Sequence, residues 1–335
     1  MRVSAETMYE TFEQILLQRG ATAENAAWAA RNFTDSSLDG VYSHGVNRFP
    51  RLIDYIDRGL VDPAARPVCL SRAGAMERWD GCGGLGNVNA RLAMDRACDL
   101  ALESGMGLVA LQNTNHWMRA GAYGWQAARR GCIGICWTNT MPNMPAWGST
   151  DAVLGNNPLV IAVPQTDGNH VVFDCAMSQF SYGKLETTRR RGEQLPVPGG
   201  WDEEGRLTTD PAAVEKTRRI LPMGYWKGSG LSVMLDLTAA LLAGGKTTAE
   251  IGAACRDETG LCQVMLALNP SALGREETDR LVEMVRQSVE SAAPEDPNHP
   301  PRMPGSLCGS TRRENQRLGI PVDEDVWQKI LRLRR

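Results

Sequence analysis

The sequence predicts an α/β protein with helical segments at both ends of the chain. Residues 87–176 alternate helical patterns with short apolar runs, which is typical of layered α/β folds. Residues 5–36 and 309–335 carry helical periodicity instead. The 335 residues suffice for one or two domains. We expect three regions: a helical region at 1–70, an α/β core at 71–270, and a helical region at 271–335 that packs back on the first.

The N-terminal region is predicted to contain three helices. The first two occupy residues 5–36; each begins after a Ser or Thr, carries an apolar stripe and ends near a Gly. A third is predicted to begin near Gly45 and to run through Pro50, which a helix tolerates in its first turn. A turn-rich connection, "VDPAARP", follows.

The remaining elements are predicted from apolar runs and their flanking turns. Helices are expected at 87–104, 121–131, 229–243, 275–291 and within 309–335, and strands at 107–113, 133–139, 159–164, 170–176 and 261–269. Two stretches rich in Pro, Gly and acidic residues, 192–215 and 293–306, are predicted to be loops.

The stretch "DGCGGLGN" at 80–87 has the G-x-G-x-x-G spacing of dinucleotide-binding turns, at Gly81, Gly83 and Gly86. Such a turn binds pyrophosphate where it follows a buried strand and opens a helix. Residues 74–80 lack the β-branched apolar run of a buried parallel strand, and no strand ending in an acid follows at the usual distance. We interpret the stretch as a turn before a helix, and we expect a nicotinamide cofactor to bind elsewhere.

Composition and charge argue against several classes of partner. The net charge of −3, from 36 basic and 39 acidic residues, provides no electrostatic footprint for nucleic acid. The short basic runs at 189–191 and 332–335 are interpreted as a solvated loop and tail, with a local role near an anionic ligand left open for the first. No stretch approaches the ~18–20 apolar residues of a membrane span, and the polar N-terminus does not resemble a signal peptide.

The nine cysteines form no C-x-x-C pair, which predicts reduced thiols in a cytoplasmic protein. Histidines and acidic residues show neither H-x-x-x-H spacing nor clustering, so we expect no metal site. The spacings of a P-loop and of the serine hydrolase motif G-x-S-x-G do not occur.

His44 is the most informative of the four histidines. It stands four residues before Arg48, and the two side chains share a face if a helix begins there. A guanidinium binds a carboxylate through two parallel hydrogen bonds, and an imidazole supplies a proton to a neighbouring carbonyl oxygen. The pair therefore suits a 2-oxoacid, although a histidine at a helix start is more often a cap or a surface residue.

Polar loops follow several predicted strands. His116 lies directly after the strand at 107–113, and similar loops follow the strands at 133–139 and 170–176. Because ligand sites of open α/β layers lie beyond the carboxyl ends of strands, these loops are candidates for the rim of a pocket. Lys227 precedes a predicted helix among small residues, a position that suits an anion.

Several strings, spread over most of the chain, together resemble a known family. They include "YSHGVNRFPR", "GICWTN", "FSYGKLE" and "RRILPMGYWKGSGLS". They resemble the malate/L-lactate dehydrogenase-type oxidoreductases that lack a Rossmann domain, and within these the 2,3-diketo-L-gulonate reductases; the match weakens after about residue 245. The resemblance implies a three-layer, non-Rossmann NAD(P)-binding fold with a mixed sheet, and a homodimer with active sites near the subunit interface.

The resemblance also implies roles for individual residues. His44 would donate the proton to the carbonyl oxygen as a hydride arrives from the nicotinamide, and Ser43, Arg48 and His116 would line the substrate site. The expected cofactor is NADH, with NADPH as the alternative, held by three segments: His170, Val171, Val172, Phe173, Asp174, Cys175 and Ala176; Trp226 and Lys227; and Gly305, Ser306 and Leu307. The implied reaction reduces a 2-oxo sugar acid, 2,3-diketo-L-gulonate, to 3-keto-L-gulonate.

Two positions depart from the pattern of the family. The last cofactor loop usually carries a Glu after Pro-Gly, whereas Ser306 and Leu307 stand here, which bears on the choice between NADH and NADPH. Lys184 matches the wider family rather than the gulonate reductases, which bears on the substrate. The alternatives are a dehydrogenase of the same family for lactate, malate, ureidoglycolate or a cyclic imino acid, and a non-catalytic small-molecule binding protein.

Overall fold

The computed structural model describes residues 1–254, 257–273 and 277–334. The helices in this part of the chain are α1 (Ala5–Gln18), α2 (Ala23–Leu38), α3 (Phe49–Asp57), α4 (Gly86–Ser104), α5 (Gly121–Arg129), α6 (Tyr182–Arg190), α7 (Pro211–Thr217), α8 (Trp226–Ala243), α9 (Thr248–Ala254), α10 (Thr278–Glu290), α11 (Ser306–Leu318) and α12 (Glu324–Arg332). The strands are β1 (Arg2–Val3), β2 (Val68–Ala73), β3 (Met76–Asp80), β4 (Met106–Asn115), β5 (Ile133–Thr138), β6 (Met144–Pro145), β7 (Ala152–Leu154), β8 (Leu159–Val163), β9 (Val171–Cys175), β10 (Gly200–Trp201), β11 (Leu207–Thr208), β12 (Thr259–Leu268) and β13 (Ile320–Pro321).

A seven-stranded sheet in the order β2-β3-β4-β12-β5-β8-β9 forms the centre of the protein. Strands β3 and β4 are parallel, and the other neighbours are antiparallel. Alternate residues of β4 face different cores: Val109 packs in the core of α4 and α5, whereas Ala110 packs in the core of α8. Helices therefore cover both faces, and the predicted α/β fold with three layers and a mixed sheet is confirmed.

The two ends of the chain meet in a separate helical core. Trp327 and Ile330 of α12 are buried together with Phe12 of α1 and Phe33 of α2. Phe49, the first residue of α3, stacks on Phe12 with 4.1 Å between the ring centroids. Strands β1 and β13 pair antiparallel beside this core. The core anchors α3 and the segment before it, while the region boundaries near residues 70 and 270 stay a prediction.

The residues before the glycine-rich stretch differ from the prediction. They form strand β3, which runs parallel to β4. The sequence had not predicted a buried parallel strand at residues 74–80. The only fully buried side chain of β3 belongs to Glu77, whose carboxylate lies 2.7 Å from the Arg96 guanidinium. A strand that is exposed on one face and buries an ion pair carries no apolar run by which to detect it.

The glycine-rich stretch itself is a turn that leads into α4, as predicted. The backbone N–H groups of Gly81 and Gly83 donate to the carbonyl oxygens of Gln112 and Asn113, at 2.8 and 2.9 Å. A Cβ on Gly86 would lie 2.0 Å from the carbonyl oxygen of Asn115. The glycines thus allow the turn to pack on the end of β4, and these N–H groups are engaged by protein rather than presented to a phosphate.

The third helix begins later than predicted. Residues Tyr42–His44 form a 3₁₀ turn, and α3 starts at Phe49 with Arg48 as its cap residue. Gly45 separates the two because its ψ of −123° is not helical and a Cβ there would lie 2.3 Å from Ser37 Oγ. Pro50 falls in the first turn of α3, as predicted. His44 and Arg48 consequently do not share one helix face.

Other boundaries also differ from the prediction. Helices α6 and α9 were not predicted, and the expected loop at 192–215 contains the β10–β11 hairpin and the start of α7. Helix α8 starts at Trp226 rather than at residue 229, and β13 interrupts the predicted C-terminal helix. Residues 275 and 276 of the predicted helix at 275–291, and Arg335 of the basic tail, lie outside the described residues.

Helix α8 is apolar on its exposed side. Met234 and Leu241 have 55 % and 74 % of their surface exposed, while Ala239 and Ala243 pack against the sheet. No single helix of the described segments is long and apolar enough to cross a membrane; α8 and α9 pass that test only as a pair bent by 79°. The exposed side of α8 is an apolar surface on the sheet face opposite α4 and α5.

Candidate active site

A cleft of about 1650 Å³ lies between the helical core and the sheet. The 3₁₀ turn at His44, the start of α3 and the turn after β4 form one wall, and β9, α6 and the loop at Gly305 form the others. Pockets for one small molecule usually measure about 300–1,000 Å³. The cleft therefore has room for two ligands side by side.

Two histidines from distant parts of the chain stack in this cleft. The ring centroids of His44 and His116 are 5.8 Å apart with an angle of 22° between the rings. Ser43 Oγ lies 3.0 Å from His44 Nδ1. His116 Nδ1 accepts a hydrogen bond of 2.9 Å from the backbone N–H of Met118. Since Nδ1 of His116 is an acceptor, a neutral His116 carries its proton on Nε2.

Both imidazoles are held in the neutral form. Burial and the positive charge of Arg48 lower the pKa of His44 to about 4. Burial and the same guanidinium lower the pKa of His116 well below its usual range. Charge on either ring is therefore unfavourable until a ligand brings a further negative charge into the cleft.

A buried carboxylate accompanies the arginines of the cleft. Glu258, in the segment before β12, contacts the Arg48 guanidinium through a short ion pair and lies 3.4 Å from Nη2 of Arg51. Burial opposes ionisation of Glu258, but the guanidinium groups of Arg48 and Arg51 hold its pKa at about 2. The carboxylate is consequently ionised at neutral pH, in contact with the group expected to bind a substrate carboxylate.

The opposite wall combines two segments predicted to hold a cofactor. The backbone N–H of Val172 in β9 donates to the carbonyl oxygen of Pro304 at 3.3 Å. Gly305 has a φ of +84°, and a Cβ there would lie 2.9 Å from the carbonyl oxygen of Val172. A glycine is therefore needed at 305 both for its conformation and for the close approach of the loop to β9.

Asp174 and Arg119 add polar groups to this wall. The Asp174 carboxylate accepts a hydrogen bond of 2.7 Å from the N–H of Gly121, and burial raises its pKa. Arg119 is buried and ion-paired with Asp39, and Nη2 of Arg119 lies 3.3 Å from the Cys308 sulfur. Among the described residues, no group of three or more His, Cys, Asp or Glu side chains could hold a metal ion.

The cleft brings together ten of the sixteen residues predicted for the site. Its lining includes Ser43, His44, Arg48, His116, Val172, Phe173, Asp174, Cys175, Ala176 and Gly305. Six predicted cofactor residues do not belong to the lining formed by the described part of one chain: His170, Val171, Trp226, Lys227, Ser306 and Leu307. Trp226 and Leu307 are 64 % and 55 % exposed. His170 Nδ1 accepts a hydrogen bond of 3.0 Å from the N–H of Gln165, outside the cleft.

Sequence reasoning missed several polar residues of the cleft, namely Arg51, Arg119 and Glu258. Arg51 follows Arg48 by three residues, so the start of α3 offered a signal that was not used. Arg119 stands three residues after His116 in the sequence. Glu258 is 210 residues away from Arg48 along the chain, and a single sequence has no signal for such a contact.

Comparison with known proteins agrees with the architecture and the motifs. The family model of malate/L-lactate dehydrogenase matches residues 3–331. A 2,3-diketo-L-gulonate reductase of Citrobacter koseri is 48 % identical over 331 residues, covering 98 % of this chain and 99 % of that protein.

Two solved structures have the same fold over nearly their full lengths. Malate dehydrogenase from Entamoeba histolytica has a TM-score of 0.94 at 25 % identity, covering 99 % of this chain and 97 % of its own. Sulfolactate dehydrogenase from Methanocaldococcus jannaschii has a TM-score of 0.90 at 28 % identity, covering 99 % and 96 %. The resemblance inferred from the motifs is confirmed: the chain is an oxidoreductase that belongs to the malate/L-lactate dehydrogenase family.

Proposed function

We propose that this protein uses NADH to reduce the ketone of a 2-oxo sugar acid, 2,3-diketo-L-gulonate, to 3-keto-L-gulonate. The observation that carries the proposal is the meeting of His44, His116 and Arg48 in one cleft that has room for two ligands. The name of the Citrobacter relative supports the choice of substrate. NADPH remains the alternative cofactor.

Arg48 is proposed to bind the substrate carboxylate. Among the contacts of the described residues, its guanidinium uses Nη2 for Glu258, and Nε and Nη1 make no hydrogen bond there. Nη2 has two hydrogens and belongs to both edges of the guanidinium, one with Nε and one with Nη1, so one edge stays open to donate two parallel hydrogen bonds to a carboxylate. A 2-oxoacid bound in this way has its ketone one bond from the carboxylate, within the part of the cleft that the histidines line.

His44 is proposed to donate the proton to the ketone oxygen. A substrate carboxylate on Arg48 would offset one of the two main causes that keep His44 neutral. Its pKa would then rise, and the imidazole would hold a proton where the oxyanion develops. Ser43 Oγ, hydrogen-bonded to Nδ1, would orient the ring, and neutral His116 would donate a second hydrogen bond to the same oxygen through Nε2.

The opposite wall has groups that suit a nicotinamide dinucleotide. The loop at Gly305 lies so close to β9 that a Cβ there would be 2.9 Å from a carbonyl oxygen. This wall also has the Asp174 carboxyl as an acceptor and the buried Nε of Arg119, which has no hydrogen-bond partner among the described residues, as a donor. Helix α11 begins beside Gly305, so its positive end faces this wall. Bound there, the cofactor would supply the hydride for the ketone carbon.

The protein is proposed to act as a homodimer that buries the exposed side of α8. The support is the apolar surface of Trp226, Met234, Leu237 and Leu241, which are between 43 % and 74 % exposed in one chain. Light scattering during gel filtration measures the mass directly. A mass of one chain, near 36.6 kDa, would contradict the proposed dimer.

A substrate panel tests the proposed reaction. NADH or NADPH is added with 2,3-diketo-L-gulonate, pyruvate, oxaloacetate or a cyclic imino acid, and oxidation is followed by nicotinamide absorbance. The proposal expects the highest kcat/KM with NADH and 2,3-diketo-L-gulonate. A higher value for another acid would assign that substrate instead, and no turnover with any of these acids would contradict the proposed substrate class.

A further inference from the structure

We propose that Glu258 selects substrates by their charge: it neutralises one of the two arginines of the cleft, so that the site favours a monocarboxylate over a dicarboxylate. This inference rests on the proposed function, because it concerns the 2-oxoacid that Arg48 would bind. It names the residue that would distinguish a sugar acid from an oxoacid with a second carboxylate.

The first step is the position of Glu258 between the two arginines. One oxygen, Oε2, contacts Nη2 of Arg48 and lies 3.4 Å from Nη2 of Arg51. Only 12 % of the Glu258 side chain is exposed, against 20 % for Arg48 and 46 % for Arg51. The carboxylate therefore acts through a medium that screens charge poorly, while Arg51 reaches toward the open cleft.

The second step is that contacts around Glu258 hold it in place. Its backbone N–H donates to the Tyr55 hydroxyl at 3.3 Å, and the same hydroxyl accepts a 2.9 Å hydrogen bond from Arg51. The preceding residue, Asp257, pairs with Arg58 of the same helical region at 2.6 Å. The segment before β12 is thus attached to α3 at two acidic residues, which favours a fixed counter-charge over a side chain that swings away.

The third step is the charge of the site. Arg48 and Arg51 contribute two positive charges, Glu258 contributes one negative charge, and both histidines are neutral in the ligand-free cleft. Arg119, which also affects His44, is paired with Asp39. The arginine–glutamate group therefore has a net charge of +1, which the carboxylate of a monoanionic 2-oxoacid would cancel.

A second carboxylate on the substrate would find the arginine–glutamate group already neutralised. It would lose hydration in the partly enclosed cleft and meet Glu258, while Arg48 and Arg51 would have no net positive charge left to offset the repulsion. Hydroxyl groups of a sugar acid carry no such cost. Selectivity of this kind arises from repulsion of the dicarboxylate as well as from favourable contacts with the monocarboxylate.

The test compares two acids that differ by one carboxylate, oxaloacetate and 2-oxobutyrate. The measured quantity is the ratio of kcat/KM for oxaloacetate to kcat/KM for 2-oxobutyrate, with NADH. Glu258→Gln should raise this ratio by about tenfold or more, because the net charge of the site becomes +2. Arg51→Gln should lower the ratio, and the double variant should return it toward the wild-type value.

The matched control is Asp54→Asn, which removes one negative charge from an exposed side chain of α3 that pairs with Arg58 outside the cleft. It should leave the ratio within about twofold of wild type. Glu258→Asp, which keeps the charge, should also preserve the ratio, and Arg51→Gln serves as the test if Glu258→Gln does not fold. Ratios that stay within about twofold of wild type in both Glu258→Gln and Arg51→Gln would overturn the proposal.

The proposal can fail independently of the proposed reaction. If the wild-type protein reduces no 2-oxoacid, calorimetry still measures the dissociation constants of malate and 2-hydroxybutyrate without turnover. The ratio of these constants should shift in Glu258→Gln in favour of malate by about tenfold. An unchanged ratio would reject the charge rule, whereas absence of turnover alone would reject only the reaction.

Discussion

Substitution of His44 by Gln tests the proposed proton donor most directly. Glutamine keeps a hydrogen-bonding side chain of similar reach but cannot deliver a proton. Because a positioned general acid contributes roughly 10²–10⁴-fold to a rate, we expect kcat to fall by about that factor. NADH binding should change little, since the segments predicted to hold the cofactor, which include Val172 and Gly305, do not include His44.

The pKa of His44 leads to a second prediction, the number of protons taken up when a ligand binds. At a pKa of about 4, only about one molecule in 10³ carries the proton at neutral pH, and protonation costs about 4 kcal/mol. A carboxylate on Arg48 offsets the second cause of this shift. Binding of oxamate, a non-reducible analogue, to the protein–NADH complex should therefore take up as much as about one proton per site.

Calorimetry in buffers of different ionisation enthalpy measures this proton uptake. Uptake should disappear in His44→Gln and persist in His116→Gln, because Nδ1 of His116 already accepts a hydrogen bond from the Met118 N–H, which keeps that ring neutral. Equal uptake in wild type and His44→Gln would refute the assignment. So would a His44→Gln variant that retains the wild-type kcat.

Four further outcomes are expected. Arg48→Lys should raise KM for 2-oxoacids by roughly 10- to 100-fold, since the two-pronged donor is lost; an unchanged KM in steady-state assays would exclude that role. For oxidation of a 2-hydroxyacid, neutral His44 is the active base, so kcat/KM should stay level down to about pH 5 and fall as the pH approaches the pKa of about 4; a fall near neutral pH would contradict this. Gly86→Ala should lower the free energy of unfolding in urea by about 1–3 kcal/mol, because its Cβ would lie 2.0 Å from a carbonyl oxygen, whereas Gly230→Ala, with open space around the Cβ, should not. Leu241→Asp should yield a one-chain mass by light scattering if α8 forms the dimer interface, and an intact dimer would place the interface elsewhere.

The sequence predicted elements that have a strong apolar pattern and missed those that lack one. Strand β12 was found because eight of its ten residues are apolar or small and most are buried. Helix α6, "YGKLETTRR", buries only Leu185 and Thr188, so no stripe indicates it. Strand β3 buries Glu77 rather than an apolar side chain. Apolar periodicity indicates elements that bury apolar side chains. It does not indicate elements that are stabilised by ion pairs or that lie at the edge of a sheet.

The candidate site was predicted through motifs rather than through physical pattern. His44 and Arg48 were expected to meet on one helix face, yet they meet through a 3₁₀ turn and a cap residue separated by Gly45. His116 joins them because the turn after β4 is held by the bond from the Met118 N–H, with Met118 at a φ of +65°. Such turns depend on local backbone conformations that neither spacing nor composition encodes.

The proposed dimer would explain two separate observations on the single chain: the exposed apolar side of α8 and the predicted cofactor residues that lie outside the cleft. Trp226 and Lys227 were predicted to contact the cofactor, yet they start a helix whose apolar side is exposed. Phe173, on the cleft wall, is also 41 % exposed. A second copy seated on α8 would remove this apolar surface from water, at roughly 25 cal/mol for each Å² buried. It would also enclose the N-terminus of α8, so that residues outside the cleft of one chain could border the cleft of the pair. A site that is completed by dimerisation would leave some of the predicted cofactor residues outside the cleft of a single chain, which is where Trp226 and Lys227 lie.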